Sequence, residues 1–335
     1  MVRALGIRVP AREAEATRRR LLDEGTLRTD LKVARQGADV VFPVQEGTTG
    51  AEPAEFQEHR RSVGHYTELL DWPAERRAAA PRAYDQLGDL VIVKVAPDLW
   101  EDRAAIGEAL LTFHRSTRAV FHDHGVKGEF RTRDLERLAG VGGTRTQVRE
   151  NGVQLWVDVA AAYYSPRLGM ERARVAAQLR PGDHVVDLFG GVAPFGVQAA
   201  KAGATVDTVD LNPAAIELAR LNVKENRVAD QVTVHLGDAR EIAASLPAGS
   251  ADHVVMNLPH GAKHFLAQAA HLVAPGGIIH HHEILDRTTL DERVAAIQQE
   301  LAGHGCPVQL AETRVVRTYS PQEDHMAIDL RRTID

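Results

Sequence analysis

His184-Val-Val-Asp-Leu-Phe189 is followed by Gly190 and Gly191, and then by Pro194 and Phe195. A chain with this stretch must bury a short apolar strand, turn sharply at its carboxyl end and open a helix behind the turn. A brief apolar run bounded by glycines is the pattern of a parallel strand covered on both faces. A Gly-rich turn between such a strand and a helix N-terminus can hold a small charged cofactor. The dinucleotide fingerprint needs glycines two and five positions after the first. Counted from Gly190, those positions hold Val192 and Phe195, which argues against a nicotinamide cofactor.

Three further strands follow at regular intervals. Thr205 to Asp210 ends in a carboxylate able to accept both hydroxyls of a ribose. Val232 to Asp238 ends in an acid suited equally to an adenine amino group or to capping the next helix. Asp252 to Asn257 runs into Leu258-Pro259. Together with Asp187 and the turn of Phe189, Gly190, Gly191, Pro194 and Phe195, this series resembles the cofactor motifs of class I S-adenosylmethionine methyltransferases. From Asp183 onward the strand and helix alternation predicts a doubly wound, Rossmann-like α/β sheet, with the final two strands antiparallel.

The 335 residues leave room for more than this domain. Val2 to Val9 predicts a strand, Pro10 opens a helix, and Asp39 to Pro43 predicts another strand, so residues 1–50 are expected to form a small α+β domain. Gly47 to Pro53 has the composition of a linker. Residues 51–165 are expected to be a strand-rich α+β middle domain, with Asn151-Gly152 as a hairpin turn. Residues 166–335 are then the cofactor-binding domain. A single cysteine, Cys306, excludes an internal disulfide framework. No apolar run approaches the roughly 20 residues of a membrane span, and no signal-peptide core is present, so a cytoplasmic protein without membrane contact is expected.

The net charge of −6 argues against a protein that is basic throughout. Between Arg115 and Arg149, however, eight Lys or Arg stand against four acids, a local excess of cations. That asymmetry suits an anionic partner, and equally a solvated charged face.

Further stretches carry a closer likeness: Gly88-Asp-Leu-Val-Ile, Ile106-Gly-Glu-Ala-Leu, Gly128-Glu-Phe-Arg-Thr-Arg133, Tyr163-Tyr-Ser-Pro-Arg-Leu-Gly-Met-Glu171 and Met256-Asn-Leu-Pro-His260. In this order they resemble the archaeal-type, knot-free tRNA (guanine-N1) methyltransferases, which methylate the guanosine 3′ of the anticodon. The resemblance spans essentially the whole chain. It departs at position 193, Ala where the family usually has Gly, and at position 190, Gly where Ala or Cys is common.

The resemblance implies S-adenosylmethionine as cofactor and tRNA as partner, held at the anticodon stem-loop and at a more distant region by the N-terminal domain. It implies a monomer and no DNA contact. N1 of guanine carries a proton at neutral pH, so the reaction needs a base for that proton and a cation for charge moving to O6. The family assigns these roles to Glu171 and Arg131. Glu171 also suits the first turn of a helix, and Arg131 also suits a surface pair with Glu129 or Asp134. Asn257, at the end of an apolar strand, suits recognition of a base edge or a simple turn. Cofactor contacts are expected from Asp187, Phe189, Gly190, Gly191, Pro194, Phe195, Asp210, Asp238, Asn257 and Pro259. Substrate contacts are expected from Tyr163, Arg167, Arg131, Arg133 and Arg145, with Pro166 favouring an extended segment around Arg167. No metal is expected, because His260, His264 and His280 to His282 lack acidic or cysteine ligands at recognised spacing.

Two other functions fit the same scaffold. One is transfer of the cofactor's aminocarboxypropyl group, or of its methyl group, to a tricyclic base derived from the same guanosine. The other is RNA binding by a non-catalytic methyltransferase fold.

Overall fold

A computed structural model describes residues 1–58, 63–128, 130 and 132–334. The chain forms two compact units, Met1–Leu69 and Leu70–Asp335.

In the first unit β1 (Val2–Pro10) leads through a short turn into α1 (Ala14–Asp23), and β2 (Ala34–Gln36), β3 (Asp39–Val44) and β4 (Glu52–Phe56) complete an antiparallel sheet in the order β2-β3-β1-β4. Alternation along β3 sends Val40, Phe42 and Val44 to one face with Leu21 of α1, while Val41 meets Leu31 and Phe56 on the other. The stretch Gly47 to Pro53, expected to be a linker, ends inside β4, where Pro53 pairs with Leu5. β4 is an edge strand, so the missing proline N–H leaves no ladder partner unsatisfied.

The second unit begins with α2 (Ala74–Ala79) and a four-stranded sheet of β5 (Tyr84–Leu87), β6 (Leu90–Val93), β7 (Ala119–Lys127) and β8 (Thr132–Gly140). α3 (Arg103–Phe113) is the crossover between the parallel strands β6 and β7. β9 (Arg145–Glu150) and β10 (Val153–Asp158) form the expected hairpin. Asn151 and Gly152, with φ of 47° and 82°, supply the two left-handed residues such a tight turn demands.

After α4 (Gly169–Gln178) the alternation is regular: β11 (His184–Asp187), α5 (Pro194–Lys201), β12 (Thr205–Asp210), α6 (Pro213–Glu225), β13 (Val232–Leu236), α7 (Ala239–Ser245), β14 (Ala251–Met256), α8 (Leu266–Leu272), β15 (Val273–Asp286), α9 (Leu290–Gly303), β16 (Val308–Thr318) and β17 (Glu323–Arg332). The sheet order is β13-β12-β11-β14-β15-β17-β16, parallel through β15, with β17 antiparallel to both neighbours. This is the doubly wound α/β sheet expected from the alternation. The chain order reverses between β11 and β14, which opens a crevice at their carboxyl ends.

One core joins Leu90, Ile92 and Phe121 of the middle sheet, Val153, Leu155 and Val157 of the hairpin, and Val185, Val206 and Ala219 of the α/β layers. Asn222 of α6 locks the hairpin in place: its Nδ2 donates to Trp156 O and its Oδ1 accepts from Trp156 N, at 3.0 and 2.6 Å. The opposite face of the large sheet is covered by α7, α8 and α9.

Candidate active site

A cavity of about 450 Å³ opens at the carboxyl ends of β11, β12, β13 and β14. Its floor is the turn after β11. The Gly190 N–H donates to Val209 O at 2.8 Å, holding the turn against β12. A methyl group on Gly190 would overlap Thr208 Oγ1, so a larger residue here requires the threonine or the turn to shift. Ala193 caps α5 with φ 61° and ψ 40°, a left-handed conformation that costs a residue with a Cβ about 1 kcal/mol. The position where the family usually has glycine thus keeps the glycine-like backbone. Pro194 then starts α5 with its φ already set.

The acids at the strand ends divide their work. Asp210 Oδ2 accepts the Gly191 N–H at 2.7 Å and Oδ1 accepts the Asn212 N–H at 2.8 Å. Each oxygen keeps a lone pair for a hydroxyl of a ligand. Burial raises the Asp210 pKa against those backbone bonds. Asp238 caps α7, accepting the Arg240 N–H at 2.7 Å, and it also lines the cavity. Asp187 lies beneath the turn, fully buried, with neither carboxylate oxygen in a well-formed hydrogen bond among the described residues. Burial pushes its pKa up to about 7, against the pull of the Phe189 amide.

Aromatic rings build the walls. Phe189 packs edge-on against Phe265 at 4.8 Å, and the Arg240 guanidinium lies 4.2 Å over Phe265. Asn257 sits at the mouth of β14, and its Oδ1 is buried without a hydrogen-bond partner among the described residues. The Ile284 N–H donates to Pro259 O at 3.1 Å, which fixes the Asn257-Leu258-Pro259 turn against β15.

The cavity therefore brings together Tyr163, Phe189, Gly190, Gly191, Pro194, Phe195, Asp210, Asp238, Asn257 and Pro259, all singled out from the sequence. Other expected residues lie elsewhere. Glu171 is buried in α4, its carboxylate bound by Arg174 at 2.7 and 2.9 Å and 3.7 Å from His282 Nε2. Arg174 in turn bridges to Asp329 at 2.6 Å. Arg133 and Arg167 both pair with Asp85, at 3.1 and 2.9 Å. Arg145 lies over Trp156. Arg131 falls outside the described residues. The segment expected to be extended around Arg167 is instead one 3-10 turn, Pro166–Leu168. Ser165, the residue before the proline, is extended (φ −130°, ψ 120°), because Pro166 restricts its predecessor while suiting a helical first position itself.

Sequence reasoning passed over several cavity residues. Arg172, 2% exposed, donates to Glu150 Oε1 at 2.6 Å and to Ser165 O at 2.9 Å, and its guanidinium faces the rings of Tyr164 and Phe195. Its place directly after Glu171 was the available signal. Arg317 and Tyr319 also line the cavity from the end of β16, and no local motif marks them.

Comparison with known proteins accounts for this arrangement. The TRM5/TYW2 methyltransferase domain model matches residues 146–309, the TYW2 N-terminal domain residues 66–144 and the tRNA methyltransferase 5 N-terminal domain residues 6–52. A Pyrococcus abyssi protein named tRNA (guanine(37)-N(1))-methyltransferase Trm5b is 35% identical over 331 residues, covering 98% of both chains. The chain belongs to the TRM5/TYW2 family of tRNA methyltransferases. The solved complex of aTrm5 with tRNALeu superposes on it with a TM-score of 0.81, at 30% identity and over 99% of this chain and 100% of that one. A Pyrococcus horikoshii TYW2 structure with MeSAdo matches at 25% identity and TM-score 0.69, over 81% of this chain and 98% of its own. The TRM5/TYW2 assignment agrees with the mixed α/β sheet.

Proposed function

We propose that this chain moves a methyl group from S-adenosylmethionine to N1 of guanosine 37, the nucleotide 3′ of the tRNA anticodon. The observation that carries this reading is the match to a tRNA (guanine(37)-N(1))-methyltransferase along the whole of both chains, N-terminal unit included. The TYW2 structure matches a smaller share of this chain.

The cavity suits the cofactor chemically. Asp210, bonded to the Gly191 N–H, keeps lone pairs for ribose hydroxyls, Asp238 would serve as an acceptor for the adenine, and Phe189, Pro194 and Phe195 give an apolar lining. When bound, S-adenosylmethionine supplies an electrophilic methyl group. The protein's task is then to place the acceptor nitrogen in line and to take its proton.

Asn257 carries the placing: its buried, unpartnered Oδ1 gains a hydrogen bond from an N–H on the base edge. Glu171 takes the proton from N1, which requires its pair with Arg174 to open in the tRNA complex. Arg131 offsets charge at O6. Tyr163, half exposed at the rim, stacks on the extruded base. Arg145 meets the phosphates, Arg133 and Arg167 join it once they leave Asp85, and the N-terminal unit contacts a distant part of the tRNA. The reaction is cytoplasmic and needs one copy of the chain.

A single-turnover assay tests the proposal. Protein and labelled S-adenosylmethionine are mixed with unmodified tRNA transcripts carrying guanosine or adenosine at position 37, and nucleosides are analysed by mass. N1-methylguanosine from the guanosine transcript alone is the expected product. An aminocarboxypropyl adduct would transfer the chain to the other activity of its family, and no product with cofactor bound would leave only RNA binding.

A further inference from the structure

Arginine side chains line the cavity at three described positions, and two of them are neutralised. Arg172 is bound to Glu150 and Arg240 to Asp238. Arg317 makes no ion pair among the described residues, and its Nε is buried without a hydrogen-bond partner. Its guanidinium lies 5.8 Å from the centre of the Tyr319 ring, which packs edge-on against His260 at 5.5 Å. A buried guanidinium N–H without an acceptor is unfavourable, and is retained most readily where a ligand supplies the acceptor.

The backbone directs this side chain on purpose. Val315 pairs with Met326, whose side chain joins the core under α9, but the next pair is Arg317 with His325. Val316 is the extra residue of a β-bulge, a device that re-aims a side chain beside a site. Without it, Val316 and not Arg317 would stand opposite His325. His325 pairs on its other side with Ile284, itself a cavity residue, so the bulge turns Arg317 to the cavity face of the sheet.

Position within the cavity narrows the ligand. Asp210 and Asp238 mark the adenosine end. Arg317, Tyr319, His260 and Ile284 cluster at the other end, where Ile284 braces the turn that carries Asn257. We propose that Arg317 is a substrate-binding residue that holds an anionic oxygen of the target nucleotide, with Tyr319 fixing the plane of its guanidinium. The inference rests on the tRNA methyltransferase reading above. Two oxygens share the required chemistry: O6 of guanine as charge develops on it, and the phosphodiester flanking the extruded nucleotide.

The test uses the full chain, with R317Q and R317K beside the wild type. Three quantities are read: the affinity for S-adenosylhomocysteine, the dissociation constant for tRNA at several salt concentrations, and the single-turnover rate at saturating tRNA. R317Q is expected to bind S-adenosylhomocysteine within about twofold of wild type, which also shows that it folds. A rate loss of about tenfold or more with unchanged tRNA affinity places the oxygen on the base, and R317K then fails to restore it. Weaker tRNA binding with a salt slope reduced by about one places it on the phosphodiester, and R317K then restores much of it. Wild-type rate and affinity in R317Q overturn the proposal. Loss of S-adenosylhomocysteine binding in both variants also overturns it, by assigning Arg317 to the cofactor or to the fold. A wild type that binds tRNA but yields no N1-methylguanosine overturns the functional reading, while the tRNA affinities still report on Arg317.

Discussion

Glu171 and Arg174, three residues apart on α4, form a two-point ion pair at 2.7 and 2.9 Å with the glutamate side chain 1% exposed. Arg174 is shared with Asp329 and Glu312, so it keeps acidic partners when Glu171 lets go. A pair of this kind can store a base out of contact with solvent and release it. E171Q is therefore expected to bind S-adenosylhomocysteine nearly as wild type does and to lose about two to four orders of magnitude in single-turnover rate. Normal turnover combined with a lowered melting temperature would show instead that Glu171 only steadies Arg174, which ties α4 to Asp329 of β17.

Asp210 anchors Gly191 and Asn212 and faces the cavity. A charge-assisted hydrogen bond contributes about 1.5–3 kcal/mol, so D210N is expected to weaken S-adenosylhomocysteine binding by roughly 10- to 150-fold. Titration calorimetry reads this directly. A change below about threefold would remove Asp210 from the cofactor site.

Gly190 and Thr208 exclude one another's bulk, since a methyl group at 190 would overlap Thr208 Oγ1. Overpacking of this sort costs about 1–3 kcal/mol. G190A should be destabilised by that amount in urea titrations, and T208A should relieve it, giving a coupling of about 1 kcal/mol or more in the double-mutant cycle. Additive effects would mean that the turn shifts to accept the methyl group.

Legibility in the sequence followed the range of the signal. The strand at His184 to Asp187, the turn at Gly190-Gly191 and the hairpin at Asn151-Gly152 are local patterns, and each stands where its residues demanded. The resemblance supplied the order of the motifs, and the cavity gathers most of the cofactor residues it named. What escaped depends on pairing across the chain. Whether Arg133 and Arg167 are free or share Asp85 is decided by strand β5, about 50 and 80 residues away in sequence. That Arg317 faces the cavity is decided by one extra residue in an antiparallel ladder, which no local pattern reveals. Gly47 to Pro53 has turn composition throughout, yet its last residues pair with β1 because an edge strand tolerates proline.

The buried histidines make the fold acid-sensitive. Burial lowers the pKa of His253 to about 4 and of His282 and His325 to about 3, with neighbouring imidazoles adding to the effect. All three are neutral in the folded protein at pH 5, whereas the unfolded chain protonates them near pH 6.5. Their contribution is complete above that pH and is lost as pH falls towards the folded values. Asp187 acts in the opposite sense. Its folded pKa of about 7 lies above its unfolded value, so it takes up a proton in the folded state first and adds stability as pH falls through 7. Through these four groups the unfolded chain binds roughly one and a half protons more than the folded one between pH 6 and 5, the histidines being only about three-quarters protonated at pH 6 and Asp187 taking nearly one proton back. Each proton corresponds to about 1.4 kcal/mol per pH unit, so these groups together should lower the unfolding free energy by roughly 2 kcal/mol across that unit. Urea titrations at pH 7, 6 and 5 measure it, and H282Q should remove about one proton from the slope. A stability that is flat over this range would mean that water reaches these imidazoles and that they titrate as exposed groups do.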